Sequence, residues 1–394
     1  MQKTYNFDEY VERRGTGAVK YDFSVMGKPE GLIPMWIADM DFRAADEVSM
    51  AIRGLADHGV YGYTEPLGVY YEAVSGWFER RLGYRPKKEW FVITPGMVFA
   101  IAMAIRAYTS EGEGVLIQSP VYPPFRKTIR DNGRIVVDSQ LVYDEDERRY
   151  KPDFGDFERK IIENGVRLFL LCSPHNPVMR VWTPAELLEV GRICQKHNVI
   201  VFSDEIHCDF VYPRHTHHVF TTLDEAFAKF TLVATAPSKT FNIAGLQISN
   251  IFIAEEGLRR RFSLEIAKSG FSHPGMPGVL ACMAAYKSGE NWFEQILQYL
   301  TGNVAVLEAF LERMPISMPK PEGSFVMWLD LRALGLPHEE LDEFLIKKAG
   351  LWLSSGTAFG EQGRGFWRMN IGCSRPTLEA ALARLEKAVS TQCL

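Results

Sequence analysis

At 394 residues, 46% of them hydrophobic and 24% charged, the chain has enough apolar material for a sizeable core and enough length for two domains. Its 49 acidic against 44 basic side chains leave a net charge of -5, which argues against a surface built for nucleic-acid phosphates. The six cysteines (172, 194, 208, 282, 373 and 393) form no CxxC pair, residues 1–14 carry acids and no apolar run, and every apolar stretch is interrupted too early to cross a bilayer; together these predict a reduced, cytoplasmic protein.

Residues 1–30, polar and aromatic with scattered glycines, read as an arm. LIPMWIADMDF (32–42) reads as a strand running into a loop. Residues 46–57 and 67–82 read as helices separated by the turn-rich GVYGYTEPLG. In 90–109 the period switches: WFVIT suits a strand, TPG a turn and MVFAIAMAIRAY a buried helix. Short strands follow at 115–120, 134–141 and 167–172, the last ending in the polar SPHNP. TPAELLEVGRICQKHN (183–198) opens with a cap and a proline at the first helical position, then runs as an amphipathic helix. VIVFSDEIH (199–207), TLVATAPSKTFNIAG (231–245) and LQISNIFIA (246–254) supply further strands. Beyond 290, helical stretches at 291–314, 338–349 and 377–390 flank strand-like 324–331 and 365–372.

Short apolar strands alternating with helices predict an α/β fold, a three-layer sandwich with a mostly parallel sheet and helices on both faces. The texture beyond 290 predicts a second, smaller α/β domain. The expected division is an arm and part of the small domain in 1–45, a large domain in 46–290 and the small domain in 291–394. Ligands of such sheets bind beyond the carboxyl ends of strands. The polar clusters at 94–97, 119–124, 173–177, 204–207 and 235–242 all fall there.

Lys239, in a loop between apolar strands, is either a surface lysine or an amine of lowered pKa that forms a Schiff base with an aldehyde. Asp204, ending VIVFSD, is either a cap or the carboxylate that keeps the ring nitrogen of pyridoxal 5'-phosphate protonated. Asn176 either makes a turn or donates to a cofactor oxygen. Tyr122, ahead of two prolines, either packs between layers or stacks on a flat ring. Arg368 is either solvated or a bidentate clamp for a carboxylate, with Arg364 its competitor. Gly96 and Met97 open an apolar helix whose free N–H groups suit phosphate, and Thr235 and Ser238 offer hydroxyls. His215, His217 and His218 cluster without a carboxylate or cysteine at ligand spacing, so a solvated loop is expected rather than zinc, and no metal site is predicted. His207 is expected to face the cofactor. No Gly-x-Gly-x-x-Gly follows a first strand, so a dinucleotide site has little support.

WIADMDF (36–42), GVYGYT (59–64), SPVYPPF (119–125), LLCSPHNP (170–177), SDEIHCD (203–209), APSKTFNIAG (236–245) and GRGFWRMNIG (363–372) occur in register over nearly the whole chain. Together they resemble the fold-type I pyridoxal-phosphate enzymes, the aminotransferase superfamily, in particular its cystathionine β-lyase (C–S lyase) branch. The resemblance implies Lys239 as the Schiff-base lysine, Asp204 against the ring nitrogen, Asn176 on the ring oxygen and Tyr122 stacked on the ring. It also implies Gly96, Met97 and Ser238 at the phosphate, and Arg368 on the substrate carboxylate. Tyr63 matches a tyrosine that reaches the neighbouring subunit's site, implying a homodimer. Where many aminotransferases have tyrosine this chain has His207, and where many have a phosphate-binding arginine it has Gln247; both features resemble the lyase branch. Val178-Met179-Arg180 replaces a loop that commonly contains glycine.

The implied activity is elimination from L-cystathionine, cysteine, cystine or an S-alkylcysteine, yielding a thiol, pyruvate and ammonia, with Lys239 as base and Lys239 or Tyr122 protonating the leaving group. An aminotransferase shares the early steps and is the main rival. A non-catalytic regulatory protein that kept the fold is a further one, disfavoured by the intact Lys239, Asp204, Asn176 and Arg368.

Overall fold

A computed structural model describes residues 3–392. Its centre is a seven-stranded sheet of β1 (Phe91–Thr94), β2 (Gly114–Ile117), β3 (Ile135–Asp138), β4 (Leu168–Cys172), β5 (Ile200–Asp204), β6 (Thr231–Thr235) and β7 (Ser249–Phe252). The spatial order is β1-β7-β6-β5-β4-β2-β3. From β3 to β6 all neighbours are parallel, whereas β7 runs antiparallel to both β6 and β1. The expected mostly parallel sheet is therefore present with one reversed strand. That reversal leaves β1 pointing the same way as β6, so the polar ends of β1, β2, β4, β5 and β6 share one edge.

The central strands are largely apolar because both faces are covered. Val115, Ile117, Leu168, Leu170, Phe202 and Leu232 turn to a core with helix Met97–Tyr108 and Phe262. The intervening Leu116, Phe169, Leu171 and Val201 turn to the opposite core with Leu187, Ile193 and Phe227. This alternation is the period-two geometry of a strand buried on both sides. Helix Pro184–Lys196 begins as its sequence demands: Thr183 and Glu186 form a reciprocal capping box and Pro184 takes the first turn. Helix Asp46–His58 stops at Gly59, whose φ of 70° suits the glycine.

Beyond residue 290, β8 (Val326–Asp330), β9 (Ser354–Ser355) and β10 (Phe366–Asn370) form an antiparallel sheet in the order β8-β10-β9. Trp328, Leu329, Trp367 and Leu378 from this region belong to the same apolar core as Leu116 and Phe169. The amino-terminal arm packs on helix Glu290–Leu311, with the Phe7 ring against Trp292 and Tyr299. In 32–42, expected as a strand running into a loop, the strand is Ile33–Pro34, paired with Leu351–Trp352; beyond it the Met35 carbonyl takes the backbone N–H of Asn370, and side chains take the carbonyls from Trp36 to Asp39. The expected helix at 338–349 is His338–Glu343 followed by a π-helical turn, Phe344–Lys348.

Candidate active site

A cleft of about 950 Å³ lies between the segment after β2 and the region of β9 and β10, lined by Trp36, Tyr122, Ser354, Phe359 and Arg368 among others. Lys239 lies in the short helix Pro237–Thr240 that follows β6, and its ammonium donates to the carbonyl of Ala38. Burial, and next the positive charge of Arg368, bring its pKa down to about 8, against the opposing pull of Asp39 and Asp204. A lysine so placed is neutral part of the time near neutrality, the condition for attack on an aldehyde or for accepting a proton.

Asp204 ends β5 and is buried; its Oδ1 accepts from Ile206 N at 3.2 Å. Burial pushes its carboxyl up to about 7, and the neighbouring Glu205 adds to the rise. His207, one turn further, is buried with Nδ1 3.2 Å from the Ser324 hydroxyl. Burial and then the charges of Lys239 and Arg368 lower its pKa to about 3, so it is neutral.

Arg368, on β10, is buried and reaches across to the large sheet. One terminal nitrogen donates to Asn176 Oδ1 at 3.1 Å, the other to the Trp36 carbonyl at 2.7 Å and, more weakly, to Ser354 Oγ at 3.5 Å. Its Nε is buried without a partner, and the guanidinium lies 4.8 Å from the Phe359 ring centroid. Burial lowers its pKa to about 10, so it stays cationic. Because Asn176 Oδ1 accepts from Arg368, the amide is oriented with Nδ2 as its free donor.

Tyr122 is half-buried on the cleft wall, and burial raises its phenol to about 12, so it keeps its proton. Gly96, at φ 118°, precedes helix Met97–Tyr108, whose first N–H groups have no side-chain cap. Ser238 is half-buried beside Lys239. Thr235 is less available: its hydroxyl proton goes to the Asn250 carbonyl at 3.0 Å inside the sheet. Tyr63 is 96% exposed, with its ring tilted against His273. Gln247 is exposed at φ 46°.

The loop after Asn176 keeps a left-handed residue without glycine: Met179 has φ 61° and is fully buried. It is held by Arg180, whose guanidinium binds Glu322 at 3.0 Å, Glu186 at 2.7 and 2.8 Å and the Tyr150 carbonyl. The histidine cluster departs from expectation. His215 is exposed, but His217 is buried and sits 2.9 Å from Glu205 Oε2, because the chain folds back over the end of β5. The contribution of WIADMDF is also a surprise. Its backbone carbonyls at Trp36 and Ala38 receive Arg368 and Lys239, and those at Ile37 and Asp39 receive Asn370. A backbone acceptor leaves no side-chain signature, so no sequence pattern announces it.

Three comparisons show what the chain is similar to. The profile described as aminotransferase class I and II matches residues 46–385. The cystathionine beta-lyase PatB of Bacillus subtilis (strain 168) is 41% identical over 98% of this chain and 100% of its own length. The crystal structure of cystalysin from Treponema denticola, which contains a pyridoxal 5'-phosphate cofactor, superposes with a TM-score of 0.95 at 33% identity, covering 99% of this chain and 100% of that one. That of the pyridoxal-phosphate-bound C–S lyase from Staphylococcus hominis gives 0.91 at 32% identity, covering 98% of each. With its central sheet, its polar strand ends and a family match over most of its length, the chain belongs to the class I and II aminotransferase family.

Proposed function

We propose that the protein is a pyridoxal 5'-phosphate-dependent carbon–sulfur lyase that eliminates a thiol from L-cystathionine or a related S-substituted cysteine. The observation that carries the reading is the meeting of Lys239, Asp204, Asn176 and Arg368 at one edge of the sheet, in a chain similar end to end to C–S lyases. The residues fit the cofactor. Asp204 is a buried carboxylate with a single hydrogen bond and needs a cationic partner, which a protonated ring nitrogen supplies. Lys239 is held for Schiff-base formation, Asn176 Nδ2 is a free donor for a ring oxygen, and Tyr122 offers a flat face. His207 adds a neutral ring beside them. The helix start at Gly96 and Met97, with Ser238, suits a phosphate. Thr235 has its hydroxyl proton committed and serves as packing.

The bound cofactor supplies an electron sink for charge left at the substrate Cα. The chain's own groups do the rest. Arg368 exchanges Asn176 and the Trp36 carbonyl for the substrate carboxylate, which fixes the direction of the Cα–H bond. Lys239, neutral in part near pH 8, accepts the Cα proton. Asp204, ionised against a cation, holds the ring charge in place. Lys239 or the protonated Tyr122 delivers a proton to the departing sulfur. The released enamine acid hydrolyses to pyruvate and ammonia. The family is described as aminotransferase class I and II, and transamination begins with the same removal of a Cα proton, so it is the second reading.

The active unit in this proposal is a homodimer in which Tyr63 completes the neighbouring site. The support is an exposed apolar stretch of Val60, Tyr61, Tyr63, Leu67 and Val69, which a partner would cover. Residues 46–290 form the cofactor domain, flanked by 1–45 and 291–394. A cytoplasmic location accords with five buried, unpaired cysteines, and no described helix is long and apolar enough to cross a membrane. Borohydride reduction of the cofactor-loaded protein followed by peptide mass mapping tests the site. A pyridoxyl group on Lys239 is expected, and one on another lysine overturns the assignment. Thiol release from L-cystathionine, followed with a thiol reagent, tests the reaction class.

A further inference from the structure

Glu205 follows Asp204 directly, so two buried carboxylates stand side by side at the end of β5. Glu205 does not face the cleft. Its Oε1 accepts from Ser203 Oγ at 2.8 Å and from Phe220 N at 3.1 Å, and its Oε2 lies 2.9 Å from His217 Nε2. The side chains of Glu205 and His217 are each only 1% exposed, so their charges are poorly screened by water. Oε1 takes two donors, and the imidazole on Oε2 is the group that can carry the one proton that would make the pair neutral.

Without that proton, Glu205 would present an uncompensated negative charge to Asp204, and two adjacent carboxylates resist joint ionisation. Glu205 already contributes to the raised pKa of Asp204, while Lys239 opposes it. The other titratable groups around Asp204 are Tyr122 and Cys172, both pushed up and both neutral. Around the pair stand Tyr84 and Cys208, neutral in the field of Glu205, together with Asp209 and His218, which feel His217. Arg81, 3.2 Å from Asp209, answers that carboxylate. Among the described residues, His217 is the side chain in contact with Glu205 that can become a cation.

We propose that His217 is a positioning residue for the proton at the cofactor's ring nitrogen: paired with Glu205, it cancels the second carboxylate beside Asp204, so the proton between Asp204 and the ring stays on the ring. The inference rests on Asp204 facing that nitrogen. With His217 neutral and Glu205 ionised, the extra negative charge lies nearer to Asp204 than to the ring and draws the proton onto Asp204. The electron sink then weakens although no group in the cleft has changed.

The test is the ¹⁵N chemical shift of ring-labelled pyridoxal phosphate bound to the full chain. Wild type is expected to show a protonated ring. His217→Gln, which keeps a hydrogen-bond donor to Glu205, is expected to move the proton partition toward Asp204 by about tenfold or more, the change one pKa unit produces. Glu205→Gln combined with His217→Gln carries neither charge and is expected to restore the protonated signal; a structural defect would not be rescued this way. An unchanged signal in His217→Gln overturns the proposal, because Glu205 then takes up the proton itself. If His217→Gln does not fold, the double variant decides: an unprotonated ring in it overturns the proposal equally. Asp204→Asn separates the two levels. If it leaves the ring protonated, the site reading fails; if it deprotonates the ring while His217→Gln does not, only this inference fails.

Discussion

Lys239 and Asp204 are driven from their ordinary titrations in opposite senses by the same cause, burial beside one another's neighbours. In the cofactor-free protein this has a definite pH signature. Asp204 titrates higher when folded, so its contribution to stability is full below about pH 3.8 and is lost as pH rises through 7. Lys239 titrates lower when folded, so stability is lost as pH falls from above 10.5 through 8. These two groups therefore destabilise the cofactor-free chain most near pH 7–8. Asp204→Asn is expected to raise its melting temperature at pH 7.5 and to do so far less at pH 4, measured by calorimetry; equal effects at both pH values contradict the burial argument. Lys239→Ala is expected to lose at least about 10²-fold in turnover, the low end for removing a general base. Arg368→Lys, which loses the planar fork, is expected to weaken substrate affinity by roughly 10- to 100-fold, read as a rise in KM with a smaller change in kcat. At this scale much was legible. Asp204 ended an apolar strand, Lys239 and Asn176 lay in polar loops after apolar strands, Arg368 lay in the strand-like 365–372, and the fold brings them together. His217 was not legible, because nothing in YPRHTHHVF says that the chain turns back onto Glu205.

The segment from Asn176 to Thr183 shows how one element replaces a missing glycine. A left-handed methionine costs about 1–2 kcal/mol, and the Arg180 network over-determines the turn. Arg180→Ala removes one of the two arginines on the buried Glu322, leaving Arg149 at 2.8 Å, and is expected to destabilise the protein by about 1–3 kcal/mol in urea unfolding; no measurable loss contradicts the role given to the pair. The replacement of glycine by Met179 was visible in the sequence, but its compensation comes from Glu322, far along the chain, and no local pattern links them. The central strands and the capped helix at 184–196 were legible because both faces of those strands are buried and the cap is local. Residues 32–42 read as a strand running into a loop, and that is the order found, but the partners that hold WIADMDF (Arg368, Lys239, Asn370 and Asn242) lie far along the chain and leave no local pattern.

For the molecule as a whole, the reversed strand β7 places the site. It lets β1 join the sheet with its polar end on the same edge as Lys239, which brings the helix start at Gly96 to the cleft. The exposed Val60, Tyr61 and Tyr63 predict a dimer in sedimentation velocity, and Tyr61→Asp combined with Tyr63→Asp is expected to shift it toward monomer with loss of activity. A wild-type monomer that retains full turnover contradicts the shared-site proposal. The central claim is elimination at a Lys239-bound cofactor, and its most direct test is incubation of the cofactor-loaded protein with L-cystathionine and no keto acid, assaying pyruvate and ammonia together while following the visible band. Sustained production of both in equal amounts, over many turnovers, is the predicted result. At most one turnover, relieved only by an added keto acid, contradicts it and makes the protein an aminotransferase.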